Sequence, residues 1–327
     1  MKHLLLGDEA IAQGAIDAGL SGVYAYPGTP STEITEYIQL CEKRKGEDSK
    51  GKIFCQWATN EKTAMEGALG MSYMGKRALV CMKHVGMNVC ADAFMNAAIT
   101  GVNGGLVVVA ADDPSMHSSQ NEQDSRFYAK FAMIPCLEPS NQQEAYDMMH
   151  YAFDLSESLR TPILFRVTTR MAHSRAVVET MDTPREQNAL SAPENTNHFI
   201  LLPAFARKNY AELVEAQAYF VQTSEESLYN TYTKGTQPQK AIVTTGIAYN
   251  YLMEVRGERR EYIKDYTISI AKSIDRPDGS RWRRGDFGHG GGTTCGRRVT
   301  PWHGTIFCGC QGPIDRRPAS HGRTHTR

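Results

Sequence analysis

Apolar and polar residues alternate in blocks along the first half of the chain. Six short runs are apolar on both faces, as strands buried inside a sheet are. They lie at residues 23–26, 53–57, 78–82, 106–111, 134–137 and 162–168. The segments between them have helical spacing, as in Ile34, Tyr37, Ile38 and Cys41. This alternation predicts an α/β fold whose parallel sheet carries helices on both faces.

The same pattern divides the chain into four segments. The strand rhythm fades after Ala176 and resumes at residue 241 with a strand, a helix through Tyr249 and Met253, and a strand at 266–270. Asp8 and Asn141 precede helical segments and suit N-caps. The predicted segments are an α/β domain at 1–180, a helical connector at 181–239, the start of a second α/β domain at 240–271 and a tail at 272–327.

The tail differs in composition from everything before it. Residues 272–327 carry a net charge of +7 and residues 1–271 a net charge of −7, and the tail has 11 glycines but no leucine or glutamate. Such a segment buries too little apolar surface to offset its ordering entropy, so we expect disorder. We favour out-of-frame translation as its origin. A basic nucleic-acid arm and a zinc knuckle on Cys308 and Cys310 are the alternatives, although C-x-C lacks the usual zinc spacing.

The charge and apolar content of the whole chain argue against two kinds of partner. The net charge of zero gives no general attraction to nucleic acid or to a membrane surface. No apolar run approaches the roughly 20 residues that span a bilayer, and Leu4 to Leu6 is too short for a signal peptide. Five scattered cysteines suit a reducing compartment: Cys41, Cys55, Cys81, Cys90 and Cys136. We expect a cytoplasmic protein that binds neither nucleic acid nor membrane.

The chemistry is expected where the carboxyl ends of the parallel strands meet, because ligands bind there in open α/β sheets. None of the segments that follow the strands is a glycine-rich phosphate loop or a serine elbow. In "PGTPS", Pro27 and Pro30 fix the backbone around Gly28 and Thr29. This turn either holds a small polar side chain at the strand end or serves only as a connection.

Glu61 lies in the first turn of a predicted helix, directly after a buried strand. Small residues follow it, including Ala64, Gly67 and Ala68, so a second backbone or a flat ring can approach closely. A carboxylate at this position also simply favours the positive end of the helix. Both interpretations remain open from the residues alone.

Two further pairs of polar residues follow strand ends. Lys83 and His84 suit a solvated loop better than the lining of a pocket. Asp112 and Asp113 precede Pro114, and adjacent acids before proline suit a turn better than a metal site.

Taken together, these segments resemble one family. "YAYPGTPSTEI", "NEKTAMEGALGMSYMGKRALVCMKHVGMNVCADAF" and "TPILFRVTTR" are similar to the start of the large (alpha) subunit of indolepyruvate:ferredoxin oxidoreductase. That enzyme is a thiamine-diphosphate-dependent 2-oxoacid:ferredoxin oxidoreductase. The resemblance covers about residues 1–271, is weak in the connector, and is absent from the tail.

The resemblance implies a pyrimidine-type thiamine-diphosphate-binding domain at 1–180. In it, Glu61 would share a proton with N1′ of the aminopyrimidine, and Thr29 would face the 2-oxoacid. The implied residues are Glu61 and Thr29 for catalysis, Glu61, Tyr26, Pro27, Gly28, His84 and Asn88 for the cofactor, and Thr29 and Arg126 for the substrate, with no metal ligand.

The resemblance also implies a reaction and partners. They are oxidative decarboxylation of indolepyruvate and other aryl pyruvates to acyl-CoA, with ferredoxin as electron acceptor, in a hetero-oligomer with a small (beta) subunit. The family's Mg²⁺-binding pyrophosphate domain and its C-x₂-C-x₂-C segments for 4Fe-4S clusters do not occur in this sequence. We therefore expect a truncated chain with little activity and weak cofactor binding. Pyruvate or a branched-chain 2-oxoacid is an alternative substrate, and a non-catalytic binding module with a basic tail is an alternative class.

Overall fold

The elements of the fold follow the order that the sequence pattern predicts. A computed structural model describes residues 1–45, 51–233, 241–255 and 261–264. The strands are β1 (Lys2–Leu6), β2 (Gly22–Ala25), β3 (Phe54–Trp57), β4 (Ala78–Lys83), β5 (Leu106–Asp112), β6 (Cys136–Leu137), β7 (Ile163–Thr168), β8 (Arg175–Glu179), β9 (Thr231–Thr233), β10 (Ala241–Thr244) and β11 (Glu261–Lys264). The helices are α1 (Gly7–Asp17), α2 (Thr32–Lys45), α3 (Glu61–Tyr73), α4 (His84–Thr100), α5 (Arg126–Ala132), α6 (Gln142–Leu159), α7 (Thr169–His173), α8 (Pro203–Glu226) and α9 (Ala248–Val255).

The main sheet has six strands in the order β3-β2-β4-β5-β7-β6, and all of its neighbours are parallel. Successive residues of a strand face opposite sides of the sheet, so Val107 and Val109 pack on one side and Val108 and Ala110 on the other. Helices α1, α2 and α6 cover the first side, and α3, α4 and α8 cover the second. This double burial explains why each strand is apolar throughout, and the α/β prediction is confirmed.

A two-stranded ribbon lies outside the main sheet and was not predicted. β1 and β8 pair antiparallel, with Leu4 opposite Val177. Both side chains are exposed, whereas Leu5 and Val178 are buried. The expectation that the strand rhythm ends after Ala176 was therefore wrong. A half-exposed ribbon of five-residue strands carries a weaker apolar signal than the buried strands of the main sheet.

The two predicted N-caps differ in outcome. The Oδ1 atom of Asn141 accepts a hydrogen bond from the Glu144 N–H at 3.0 Å, so this cap is confirmed. Asp8 is not a cap, because α1 begins one residue earlier, at Gly7. A Cβ atom at Gly7 would lie only 2.1 Å from the Met171 carbonyl oxygen, so glycine lets the start of α1 press against α7. Asp8 is consequently buried inside the first turn.

The chain beyond residue 180 is described in part. Helix α8 lies in the predicted connector, and β10 with α9 matches the strand and helix expected after residue 240. The strand predicted at 266–270 and the tail at 272–327 lie outside the described residues, and the segment boundaries stay predictions. The five cysteines before residue 140 are free thiols. In the part of the chain that the structure describes, no helix is both long and apolar enough to cross a membrane.

Candidate active site at the carboxyl edge of the sheet

The turn between β2 and α2 is fixed by its own hydrogen bonds. The backbone N–H and the Oγ hydroxyl of Ser31 donate to the Gly28 carbonyl, at 2.9 and 2.8 Å. The Gly28 N–H donates to Thr32 Oγ1 at 2.9 Å. The Thr29–Pro30 peptide is cis, and Thr29 is exposed. A rigid turn therefore leaves the Thr29 side chain accessible at the strand end.

The residues beside Thr29 form the rest of this surface. Tyr26 and Pro27 are exposed. A Cβ atom at Gly28 would approach the Lys83 Cβ to 3.3 Å, which is tighter than most real contacts. Glycine at position 28 thus lets the turn lie against the start of α4.

Glu61 is the first residue of α3. Asn60 caps this helix, since its Oδ1 atom accepts from the Thr63 N–H at 2.9 Å. The Glu61 side chain is only 8% exposed. No hydrogen bond or ion pair from another described residue reaches its carboxylate. A helix N-terminus favours a negative charge, and the N-cap sets Glu61 at that end.

The Glu61 carboxylate packs against the backbone of α4. A Cβ atom at Gly86 would lie 2.7 Å from both Cγ and Oε1 of Glu61. Any larger residue at position 86 would therefore displace the carboxylate. Nearby on α4, burial and, to a smaller extent, the charge of Glu61 raise the pKa of the Cys90 thiol to about 12.

Lys83 and His84 do not lie in a solvated loop, so that expectation was wrong. Lys83 ends β4, His84 begins α4, and both side chains are buried. The Lys83 Nζ donates to the Ser118 carbonyl at 2.5 Å, and the His84 Nε2 lies 3.1 Å from the Asn121 carbonyl. The His84 Nδ1 atom is buried, with no partner among the described residues.

Asn88 lies one helical turn after His84 on α4. Its side chain is exposed, and its Oδ1 atom accepts a hydrogen bond from the Tyr128 hydroxyl. Tyr128 belongs to α5, so this bond ties the exposed face of α4 to the helix that begins with Arg126.

Arg126 binds Asp124 through two parallel hydrogen bonds. Its Nε and Nη2 atoms donate to the two Asp124 carboxylate oxygens at 2.8 and 2.7 Å, and Nη1 donates to Thr245 Oγ1 at 2.9 Å. Burial lowers the pKa of Arg126, but Asp124 and Glu138 outweigh that effect, and the pKa lies above its usual value. Arg126 is thus a permanent cation whose charge Asp124 partly neutralises.

A buried ionic network supports this end of the sheet. Arg166 of β7 donates from Nε to Asp112 Oδ2 at 2.7 Å and from Nη1 to Glu138. Asp112 also accepts from the Ser125 N–H at 3.0 Å. The expectation that Asp112 is a turn residue was therefore wrong: it ends β5 and is buried. The network holds the residues just before α5, and with them Arg126.

The segments that follow β2, β3, β4 and β5 meet around the first turn of α4. Gly28 contacts Lys83, and Gly86 contacts Glu61. Lys83 and His84 bind the backbone of the segment after β5. The sequence pattern pointed to these four segments but not to Gly86 or Arg166. The signal for Arg166 was a charged residue within the apolar run "PILFRVT"; Gly86 offered none beyond being a glycine in a predicted loop.

Comparison with known proteins identifies the family of this chain. The family model described as "Pyruvate flavodoxin/ferredoxin oxidoreductase, thiamine diP-bdg" matches residues 13–264. A solved 2-oxoglutarate:ferredoxin oxidoreductase from Magnetococcus marinus has a TM-score of 0.61, covers 81% of this chain and 54% of that chain, and is 17% identical. That similarity concerns the fold alone. The chain belongs to the thiamine diphosphate-binding family of 2-oxoacid oxidoreductases.

Within this family, the chain matches the N-terminal part of indolepyruvate oxidoreductase alpha subunits. It is 42% identical to the indolepyruvate oxidoreductase subunit IorA of Pyrococcus horikoshii over 258 residues, which are 77% of this chain and 39% of that one. It is 43% identical to the IorA subunit of Archaeoglobus fulgidus over 255 residues, 77% and 40% of the two chains. The resemblance noted in the sequence is confirmed, and the chain spans about two fifths of the length of these relatives.

Proposed function

We propose that this chain supplies the aminopyrimidine-binding half of a thiamine diphosphate site in an indolepyruvate-type 2-oxoacid:ferredoxin oxidoreductase. One observation carries the proposal. Glu61 is a nearly buried carboxylate at a helix start, packed against Gly86 and free of hydrogen bonds from the described residues. Since no described residue donates to this carboxylate, its oxygens are available to a ligand N–H.

The residues around Glu61 fit an aminopyrimidine ring. Glu61 would exchange a proton with the ring nitrogen N1′ from a position that is only 8% exposed. His84 Nδ1 is a buried polar atom without a partner among the described residues, and it would accept a hydrogen bond from a ligand N–H. When bound, thiamine diphosphate supplies a carbanion that adds to the keto carbon of a 2-oxoacid.

We assign the other predicted residues to the surroundings of this niche. Thr29 would face the substrate from the rigid turn, with Tyr26, Pro27 and Gly28 lining the cofactor side and Asn88 at the exposed rim of α4. We keep Arg126 as the candidate partner of the substrate carboxylate. Its pairing with Asp124 fixes the orientation of the guanidinium, and the pKa of Arg126 above its usual value keeps the positive charge.

The substrate and the partners are inferred from relatives. The IorA relatives are named as subunits of indolepyruvate oxidoreductase, whereas the 2-oxoglutarate synthase subunit KorA of Methanothermobacter thermautotrophicus is only 28% identical over 215 residues. We therefore favour an aryl 2-oxoacid over another 2-oxoacid. A small subunit, ferredoxin, CoA, Mg²⁺ and 4Fe-4S clusters complete the proposed enzyme, with the last two held outside this chain.

The deciding experiment replaces Glu61 with Gln in the complete oxidoreductase that carries residues 1–271 of this chain, joined to the remaining part of an IorA subunit and its small subunit. Indolepyruvate-dependent dye reduction should fall by about 10²–10⁴-fold, the usual contribution of a positioned acid–base group. Glu66→Gln is the matched control, because Glu66 is exposed on the same helix, and should leave the rate unchanged. An E61Q enzyme with normal turnover would contradict the proposal.

A further inference from the structure

A second polar cluster lies beside the described site and has no part in the proposed reaction. It consists of Asp8 at the start of α1, Glu33 in the first turn of α2 and His173 at the end of α7. One ligand atom from each residue, two carboxylate oxygens and one imidazole nitrogen, lies within 4.8 Å of the others. We call these three residues the Asp8 cluster.

Asp8 is the unexplained member of the cluster. Its side chain is completely buried, and neither carboxylate oxygen has a hydrogen-bond partner among the described residues. Glu33 Oε2 is also buried without a partner there. Asp8 and Glu33 thus present three buried carboxylate oxygens that no described residue binds, and a cation held between the two side chains would satisfy these oxygens.

Close packing brings the three residues together. The Gly7 N–H donates to the Ser174 carbonyl at 3.1 Å, and the absence of a Cβ at Gly7 lets α1 touch Met171 of α7. These contacts hold Asp8 near His173. The His173 Nε2 lies 3.6 Å from Glu33 Oε1, and both of these side chains are 36% exposed, so an ion can enter from solvent.

We propose that Asp8, Glu33 and His173 bind a divalent first-row transition metal ion. Two carboxylates and one imidazole are a donor set that suits Mn²⁺, Fe²⁺ or Zn²⁺, whereas an imidazole nitrogen disfavours Mg²⁺. Tetrahedral ligands about 2.0–2.2 Å from an ion lie about 3.3–3.6 Å apart. The 3.6 Å between His173 Nε2 and Glu33 Oε1 already suits an ion, and ligand atoms that lie up to 4.8 Å apart would need to move together by about 1 Å.

The ion would have a structural role next to the active site. It would neutralise the two carboxylates and join α1, α2 and α7. Glu33 follows Thr29 by four residues and lies one residue after Thr32, which binds the Gly28 N–H. A metal at the Asp8 cluster would thereby anchor the helix that begins at the Thr29 turn.

The test uses the full chain, stripped of metal with a chelator and titrated with Mn²⁺ while electron paramagnetic resonance measures the free ion. Mn²⁺ is chosen because the thiolates of Cys308 and Cys310 favour softer ions such as Zn²⁺. We expect one tight Mn²⁺ per chain. Glu33→Gln and His173→Gln should each weaken it at least about tenfold, since even indirect partners of metal ligands have effects of that size.

Two control variants and a second measurement complete the test. Glu36→Gln and His117→Gln alter exposed residues of the same types, and they should bind Mn²⁺ as the unaltered chain does. Mn²⁺ should raise the melting temperature of the unaltered chain but not of E33Q or H173Q. Absence of a tight Mn²⁺, or tight binding that survives both E33Q and H173Q, would overturn the proposal.

Discussion

Glu61 and Gly86 are in direct contact, although they lie on different helices. A Cβ atom at position 86 would lie 2.7 Å from Oε1 of Glu61, so the position of the carboxylate depends on the absence of one side chain on α4. Both α3 and α4 therefore shape the proposed cofactor niche. Position 86 requires glycine for the same reason that position 61 requires its carboxylate.

Gly86→Ala should therefore reduce activity in the complete oxidoreductase by about 10²-fold, the cost of displacing a catalytic group by about 1 Å. The loss should be in thiamine diphosphate affinity and in turnover, measured by cofactor titration and dye reduction. Gly70→Ala is the matched control, because a Cβ there meets nothing within 4 Å. That control should retain activity and be stabilised by up to about 1 kcal/mol, since alanine is the better helix former. Equal activity of G86A and G70A would show that the contact has no role.

The sequence predicted the sheet well for a physical reason. Strands β4, β5 and β7 are buried on both faces, so their sequences are predominantly apolar instead of alternating between apolar and polar residues. Ribbon strand β1 has only Leu5 fully buried, and this gave too weak a pattern to be recognised. Strands that are buried on both faces are therefore easier to recognise in this sequence than strands that are buried on one face.

The candidate site was predicted less completely, because its key relationships are long-range. Lys83 and His84 looked like loop residues in the sequence, and only the packing of the segment after β5 buries them. Asp8 looked like a helix cap, but the approach of α7 to Gly7 moves it inside. No local pattern encodes contacts between segments so far apart in the chain. The sequence therefore indicated which segments contribute to the site but not how their side chains contact one another.

Replacement of Arg166 should destabilise the fold strongly. Arg166→Met would leave Asp112 as a buried acid without its cation and Glu138 with only the Arg126 contact at 3.5 Å. Loss of one partner of a buried pair costs about 3–5 kcal/mol. Urea unfolding of the full chain measures the free energy. Arg175→Met, an exposed arginine of β8, should change it by no more than about 0.5 kcal/mol. Similar effects of the two variants would mean that the network contributes little to stability.

Arg126 gives a prediction about substrate binding. Arg126→Met in the complete oxidoreductase should raise KM for indolepyruvate at least about tenfold while kcat changes less, because a carboxylate contact is made equally in the ground and transition states. Asp124→Asn separates this role from a structural one. It removes the charge that pairs with Arg126, and should lower KM or leave it unchanged. If R126M keeps a normal KM, the substrate carboxylate is bound elsewhere.

His150 predicts how stability depends on pH. Both of its ring nitrogens lack a hydrogen-bond partner among the described residues. Burial, then the positive charge of Arg185, lowers the pKa of His150 to about 4, against a smaller opposing effect of Asp154. In the unfolded chain, His150 has an ordinary pKa near 6.5. Between pH 6.5 and 4 it is therefore protonated in the unfolded chain but neutral in the folded chain. Stability therefore falls as the pH decreases through that window, by up to about 3 kcal/mol from this group.

A variant without a titrating group at this position tests the assignment. His150→Gln should lose stability at pH 7 through altered packing, yet its melting temperature should decline less than that of the unaltered chain between pH 6.5 and 4. His117→Gln, at an exposed position, should follow the unaltered chain over the whole range. Parallel curves for H150Q and the unaltered chain would assign the acid sensitivity to other groups, because only a histidine whose folded and unfolded pKa values differ contributes a slope there.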